Sequence, residues 1–183
     1  RDLKDDELKL GLTDIPIAHD GIAIIVNSEN PVKALTTTQL RGIFSGKITN
    51  WKEIGGPNLE IERVNRDEAS GTREAFSKIV MDESKFNEDS VVLPGTGQVR
   101  QVVSRTKGAI GYISVGFVNK EVKSLAIDGI APTKQNVAKG TYPISRELHF
   151  FVKGKPTGLT KDFIDYVLSE KVQQGPIVDA GFI

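Results

Sequence analysis

The 183-residue sequence contains no cysteine and only two histidines, and its formal charge is zero. The absence of cysteine excludes disulfides, thiolate metal sites and cysteine nucleophiles. His19 and His149 are far apart in the sequence, and no His/Asp/Glu spacing matches a metal site, so we predict neither a metal nor another cofactor. The 24 basic residues balance the 24 acidic ones, so no overall field favours nucleic acid or an anionic membrane. Any attraction for an anion must therefore be local.

Long apolar runs are also absent, because none approaches the roughly 18 to 20 residues that a membrane-spanning helix needs. Hydrophobic residues nevertheless make up 38% of the chain, which is enough for a globular core and argues against disorder. No signal peptide or lipid-attachment cysteine is visible. These features together predict a globular domain.

Strand and helix patterns alternate along the chain, which predicts an α/β fold. Ile22 to Val26 is an almost continuous apolar run, as expected for a strand buried on both faces. Between Tyr142 and Val152 the even positions are mostly apolar, which predicts a long half-buried strand with His149 on its polar, solvated side. Thr160 is predicted to cap a last helix, whose apolar residues are Phe163, Ile164, Val167 and Leu168.

The segment from Val64 to Phe76 carries the strongest indication of a binding site. Ser70, Gly71 and Thr72 precede apolar residues at helical spacing, so we place them at a helix N-terminus. Free backbone N–H groups, the helix dipole and two hydroxyls there favour an oxyanion. Arg66, four residues earlier, can add a charged two-pronged contact. An ordinary serine cap beside a solvated arginine explains the same residues, and this segment alone does not decide between the two.

Five blocks in a fixed order resemble the phosphate-binding proteins of bacterial and archaeal ABC importers. The family's hinge strand resembles Asp20-Gly21-Ile22-Ala23-Ile24-Ile25-Val26-Asn27, and its next helix and loop resemble Leu35 to Trp51. Arg66 with Ser70-Gly71-Thr72 is similar to its anion motif. Its later core strand and return crossing resemble Gly108-Ala109-Ile110-Gly111-Tyr112-Ile113 and Tyr142-Pro143-Ile144-Ser145-Arg146.

The resemblance implies a type II periplasmic-binding-protein-like lobe, with a mixed central sheet flanked by helices and two hinge strands. It implies that residues 1–19 are the remainder of a first lobe. Residues 20–148 would form the second lobe with the anion motif, and residues 149–183 would return to the first lobe. The family's amino-terminal phosphate-contacting segments have no counterpart here, so we expect the chain to be a fragment that binds phosphate at best in the millimolar range.

The function implied by the resemblance is capture of inorganic phosphate outside the cytoplasm for delivery to an ABC permease, without a chemical step. Arg66, Ser70, Gly71 and Thr72 would bind phosphate, or sulfate as its mimic, and we expect them to converge on one point. Glu68 is expected to pair with Arg66 and hold its guanidinium in place. The family's aspartate that accepts a proton from phosphate has no counterpart in this chain.

Two other functions stay open at this stage: a sensor or scaffold domain of the same fold, and a phosphate-handling enzyme. The enzyme is disfavoured, because Ser70 lacks a G-x-S-x-G context and an obvious histidine base. Arg146 could contact the ligand cleft, although an ion pair at the hinge is the simpler expectation. Trp51 is expected to pack beneath the glycine-rich loop. The exposed apolar residues of the last helix and Ile177 predict either a homodimer or a fold-back onto the middle region.

Overall fold

The computed structural model describes residue 3 and residues 5–183. Part of the predicted first-lobe remainder at residues 1–19 therefore lies outside the described residues. The strands are β1 (Leu12–Asn27), β2 (Ala34–Leu35), β3 (Glu62–Arg66), β4 (Val91–Leu93), β5 (Ala109–Ser114), β6 (Val122–Ser124), β7 (Ala126–Ile127) and β8 (Ser145–Lys153).

The α-helices are α1 (Asp5–Leu8), α2 (Thr37–Phe44), α3 (Gly71–Phe76), α4 (Thr96–Arg105), α5 (Lys134–Ala138), α6 (Gly158–Leu168) and α7 (Glu170–Val172). Short 3-10 turns occupy Trp51–Ile54 and Val115–Phe117. A π-helical turn at Ser77–Met81 extends α3, and another at Gln173–Ile177 follows α7.

The main sheet is mixed, in the order β4-β3-β5-β1-β6, with β8 also paired to β1. Strand β3 runs parallel to β4 and β5, whereas β1 runs antiparallel to β5, β6 and β8. Strands β2 and β7 form a separate parallel pair. The predicted α/β fold with a mixed central sheet is confirmed.

The apolar run in β1 is buried on both faces, as its composition predicts. Ile22, Ile24 and Val26 belong to a core that includes residues of α2 and α3, whereas Ala23 and Ile25 belong to a second core with Val99 and Val103 of α4. Successive side chains of a strand point to opposite faces, so one strand supplies both cores. The sheet therefore has helices on both sides here.

Local sequence signals fix the loops on one side of the sheet. Thr36 and Gln39 form a reciprocal cap at the start of α2. Trp51 is fully buried, as predicted, and its indole N–H donates to the Gly108 carbonyl over 3.0 Å. These contacts hold the loop between α2 and β3 against the start of β5.

Two predictions about the chain's later part are wrong in detail. His149 is not a solvated residue, because its side chain is 4% exposed and lies 2.6 Å from Asp14. It also stacks on Phe151, so both faces of β8 are partly covered and simple alternation does not predict exposure. The last helix begins at Gly158 with Thr157 at its N-cap, so Thr160 lies inside the helix and does not cap it.

The C-terminal segment returns to β1 and β8. Ile164 is buried, and Phe163 contacts the Phe150 ring at 5.7 Å between centroids. The last residue, Ile183, donates its backbone N–H to the His19 carbonyl over 2.9 Å. These contacts join the segment to the two long strands and not to the middle region that the prediction named, and Phe163 remains 57% exposed and Leu159 87% exposed.

Candidate anion site

Ser70 begins α3, where the sequence places it. Its backbone is extended, and its hydroxyl oxygen accepts the backbone N–H of Arg73 over 3.2 Å. The preceding turn is closed by a bond from the Ser70 N–H to the Asp67 carbonyl. Ser70 and Thr72 are buried, whereas Gly71 between them is exposed. Ser70, Gly71 and Thr72 therefore lie at a helix N-terminus, where the first backbone N–H groups have no partner within the helix.

The Arg66 side chain extends towards α4 and does not contact Ser70 or Thr72 through any hydrogen bond of the described residues. Its Nη1 donates to the Thr96 hydroxyl over 3.1 Å, and its Nη2 donates to the Pro94 carbonyl over 2.9 Å. Its Nε is buried without a partner. Arg66 has no acidic partner within the described part of the chain, so its positive charge is not neutralised locally.

Glu68 does not hold Arg66, which corrects the sequence-based expectation. Glu68 lies at the exposed tip of the turn between β3 and α3. The guanidinium of Arg66 instead donates to two neutral acceptors, the Thr96 hydroxyl and the Pro94 carbonyl. The turn directs Glu68 to solvent, so Glu68 and Arg66 do not pair although they are only two residues apart in the sequence.

Arg146 is the arginine that lies against the helix start. Its Nη2 donates to the Thr72 hydroxyl oxygen over 3.3 Å, and its Nη1 lies 3.3 Å from the position that a Cβ on Gly71 would occupy. The same guanidinium pairs with Asp20, over 3.1 Å from Nε and 2.9 Å from Nη2. The expected ion pair between the two long strands is confirmed, and the contact with Thr72 is additional.

A hydrogen bond between Tyr112 and Asn65 lies next to the Arg66 backbone, and the Tyr112 ring belongs to an aromatic cluster. The Tyr112 hydroxyl donates to Asn65, whose side-chain oxygen also accepts the Arg66 backbone N–H. The Tyr112 ring stacks on Phe76 with centroids 4.2 Å apart. Burial raises the pKa of Tyr112 to about 12, so this hydroxyl stays protonated and keeps its donor role.

Arg73 completes the helix start from its outer side. Its Nη1 donates to the Arg66 carbonyl over 2.7 Å, and its guanidinium lies 4.6 Å from the centre of the Phe86 ring. The first contact ties α3 to the end of β3, and the second ties it to the segment that contains Phe86. One guanidinium, that of Arg146, therefore lies against the helix N-terminus, and those of Arg66 and Arg73 lie at the end of β3 and beside Phe86.

Sequence reasoning missed the roles of Asp20, Asn65 and Thr96. Asp20 and Arg146 are 126 residues apart, so no local pattern reports their contact. One signal was available: Asp20 is a charged residue at the start of a strand that is otherwise buried, and a buried carboxylate requires a partner. The predicted neighbouring strand offers Arg146 for that purpose.

Comparison with known proteins agrees with this geometry. A family profile described as "PBP superfamily domain" matches residues 1–171. The chain belongs to the PBP superfamily. Among curated proteins it is 40% identical to the phosphate-binding protein PstS of Bacillus subtilis (strain 168), over 94% of this chain and 57% of that protein. It is 29% identical to the PstS of Borreliella burgdorferi, over 100% of this chain and 70% of that protein.

Solved structures give the same relationship. A putative phosphate ABC transporter substrate-binding protein with bound phosphate from Clostridium perfringens is 40% identical, with a TM-score of 0.87 over 100% of this chain and 76% of that one. An ABC-type phosphate transport receptor from Vibrio cholerae is 36% identical, with a TM-score of 0.91 over 100% of this chain and 77% of that one. The chain thus spans 57% to 77% of these four relatives.

Proposed function

We propose that this chain supplies one wall of a phosphate-binding site in the solute-binding subunit of an ABC importer. The observation that carries the proposal is the start of α3, where Ser70, Gly71 and Thr72 lie at a helix N-terminus shortly after Arg66, an arginine without an acidic partner among the described residues. A helix N-terminus and a guanidinium both favour tetrahedral oxyanions. The relatives named as phosphate-binding proteins support phosphate as the anion.

Arg66 is the proposed source of positive charge for phosphate. Among the described residues, its two Nη atoms bond to one hydroxyl and one carbonyl, and its Nε has no partner. A partly buried guanidinium without a counter-charge gains most from an anion. We therefore expect Arg66 to leave Thr96 and Pro94 and to join Ser70, Gly71 and Thr72 around bound phosphate, with sulfate as a weaker mimic.

The proposed activity is binding without a chemical step. The Ser70 oxygen accepts a backbone N–H, and among the described residues it has no histidine or carboxylate partner that could act as a base. Within the same part of the chain, no group of three or more His, Asp or Glu side chains is placed to hold a metal ion. Capture and release of phosphate then depend on its hydrogen bonds.

We also propose an extracytoplasmic location and an ABC permease as the macromolecular partner, by analogy with the relatives described as transport receptors. Residues 20–148 would form one lobe, with β1 and β8 as the hinge to another. No helix in the described residues is long and apolar enough to cross a membrane. The exposed apolar side of α6, formed by Leu159, Phe163 and Tyr166, is a candidate surface for a second copy of the chain.

The experiment is a phosphate titration of the chain followed by backbone amide NMR shifts at constant ionic strength. We expect the amides of Gly71, Thr72 and Arg73 to shift together, with a dissociation constant in the millimolar range. Arg66→Ala should weaken the response about tenfold or more, since a charged hydrogen-bond donor is lost.

Arg105→Ala is the matched control, because it removes the same charge from an exposed position at the end of α4. This variant should leave the dissociation constant unchanged. Equal weakening by Arg66→Ala and Arg105→Ala would indicate diffuse charge attraction and would contradict the proposed site.

A further inference from the structure

A continuous chain of polar side chains connects the two long strands to the helix start. Asp20 of β1 is 1% exposed, and its Oδ1 accepts the Ser114 hydroxyl over 2.6 Å. Its Oδ2 accepts two N–H groups of Arg146, which lies opposite it in β8. Arg146 in turn donates to Thr72. The bond to Thr72, at 3.3 Å, is the longest link in this chain.

The two arginines near the helix start differ in charge balance. Arg146 is paired with a buried carboxylate, and its side chain is only 19% exposed. Arg66 has no carboxylate partner in the described part of the chain. Because Asp20 already neutralises Arg146, Arg146 offers little net charge to an added anion. Besides its Nη1 beside Gly71, the guanidinium reaches the helix start through the group to which its Nη2 donates.

That group is the Thr72 hydroxyl, and Arg146 determines the direction of its hydrogen bonds. A guanidinium can only donate hydrogen bonds, so the Thr72 oxygen is the acceptor. The hydroxyl hydrogen must then point elsewhere, and the described residues contain no acceptor for it. An oxyanion at the helix start is the acceptor that this arrangement lacks. A hydroxyl that was free to rotate would lose orientation entropy on binding, and here much of that loss has already occurred.

We infer that Arg146 is a positioning residue that orients the Thr72 hydroxyl as a donor to a bound phosphate-like oxyanion, with Asp20 holding Arg146 in place. This inference rests on the proposed function, and it adds Arg146 and Asp20 to a site otherwise made of Arg66 and the start of α3. It also ties the donor to both long strands, because Asp20 belongs to β1 and Arg146 to β8.

The test is a double-mutant cycle on phosphate affinity, measured by amide NMR shifts at constant ionic strength. Thr72→Val should weaken binding about tenfold, because it removes the donor. Arg146→Gln should weaken binding about fivefold in the wild-type background. In the Thr72→Val background, Arg146→Gln should change the dissociation constant less than about twofold, because its effect passes through the hydroxyl.

Thr72→Ser provides the conservative comparison. It keeps the hydroxyl, so phosphate binding by this variant should remain sensitive to Arg146→Gln, unlike binding by Thr72→Val. If Arg146→Gln alone lowers the folded fraction, combining it with Asp20→Asn removes both charges and keeps the comparison valid. This double variant should also lose its effect on affinity in the Thr72→Val background.

The outcomes separate the inference from the function on which it rests. Equal weakening by Arg146→Gln with and without Thr72 would overturn the inference, because Arg146 would then contact the anion directly or act through the fold alone. Phosphate binding that is unaffected by Arg146→Gln would overturn it as well. A wild-type chain without shifts at Gly71 and Thr72 would contradict the proposed function itself and would remove the inference with it.

Discussion

The two halves of β1 have different surroundings. From Asp20 to Asn27 every residue is buried, and β5, β6 and β8 pair with parts of this half. From Leu12 to His19 the strand pairs only with β8, and most of its residues are exposed or half-buried. Asp20 and Arg146 lie at the boundary. The candidate site therefore forms at the point along β1 where a two-stranded pairing with β8 passes into a larger sheet that is covered on both faces.

This difference explains why the boundary can hold an ion pair. In the buried half a carboxylate would be costly without a partner, whereas in the exposed half water can solvate it. The pair of Asp20 and Arg146 is placed where burial begins, close enough to the edge of the core for Arg146 to reach Thr72. Substitutions that compare the two halves should reveal this gradient.

The largest expected effect is in the buried half. Ile24→Ala should lower the free energy of unfolding by about 4 kcal/mol, because Ile24 is fully buried and the change leaves a cavity. Ile15→Ala, in the half-buried part, should cost about 1 kcal/mol. Urea unfolding followed by circular dichroism measures both values. Similar costs at the two positions would show that the halves are equally well packed.

The next effect concerns two polar contacts between β1 and β8, that of Asp20 with Arg146 and that of Asp14 with His149. Arg146→Ala should cost about 3 kcal/mol, because it leaves the Asp20 carboxylate buried with only Ser114 as a partner. Asp14→Ala, which removes one of the two carboxylates near His149, should cost about 1 kcal/mol. The same urea measurement applies. A larger loss for Asp14→Ala would reverse the proposed gradient of burial.

Alkaline pH tests the buried side of the sheet through Tyr112. Burial raises its pKa to about 12, so the folded chain keeps the proton that the unfolded chain loses near pH 10. The contribution of protonated Tyr112 to the free energy of unfolding is therefore fully present below pH 10. It falls between pH 10 and 12, by at most about 1.4 kcal/mol per pH unit. Burial raises the pKa of Tyr142 in the same direction.

Tyr112→Phe separates this contribution from that of Tyr142. The variant should be less stable at neutral pH, since Asn65 loses a donor. Its unfolding free energy should fall less steeply above pH 10 than that of the wild type. Identical slopes in thermal unfolding between pH 9 and 12 would show that Tyr112 ionises as easily when folded as when unfolded.

The smallest effect is expected on the exposed side of α6. Leu159 is 87% exposed, so Leu159→Ser should change the free energy of unfolding by no more than about 0.5 kcal/mol. If this side contacts a second copy of the chain, the variant should associate less in sedimentation analysis at high concentration. Unchanged association would indicate that another surface, or none, is involved.

The sequence predicts features that local chemistry determines. The apolar run from Ile22 to Val26 requires a strand buried on both faces, and Thr36 and Ser70 begin helices because their hydroxyls accept backbone N–H groups. Contacts across long sequence separations are a different case. The burial of His149 and the link from Arg146 to Thr72 depend on how β8 returns to β1 and α3.

The errors follow from the same distinction. β1 begins at Leu12, well before the predicted strand at Asp20, because the β8 ribbon continues beyond the apolar run. The expected pair of Glu68 with Arg66 relied on closeness in the sequence. The tight turn before Ser70 directs Glu68 outwards, and Arg66 donates to the Thr96 hydroxyl instead. Backbone geometry decided both cases.

The most direct test of the central claim is a crystal structure of the chain grown in phosphate. We predict the anion at the start of α3, within hydrogen-bond distance of the Gly71 and Thr72 backbone N–H groups and the Thr72 hydroxyl. Arg66 should turn from Pro94 to the anion, while Arg146 keeps its contact with Asp20. Phosphate bound elsewhere, with the start of α3 unoccupied and Arg66 still on Pro94, would contradict the account.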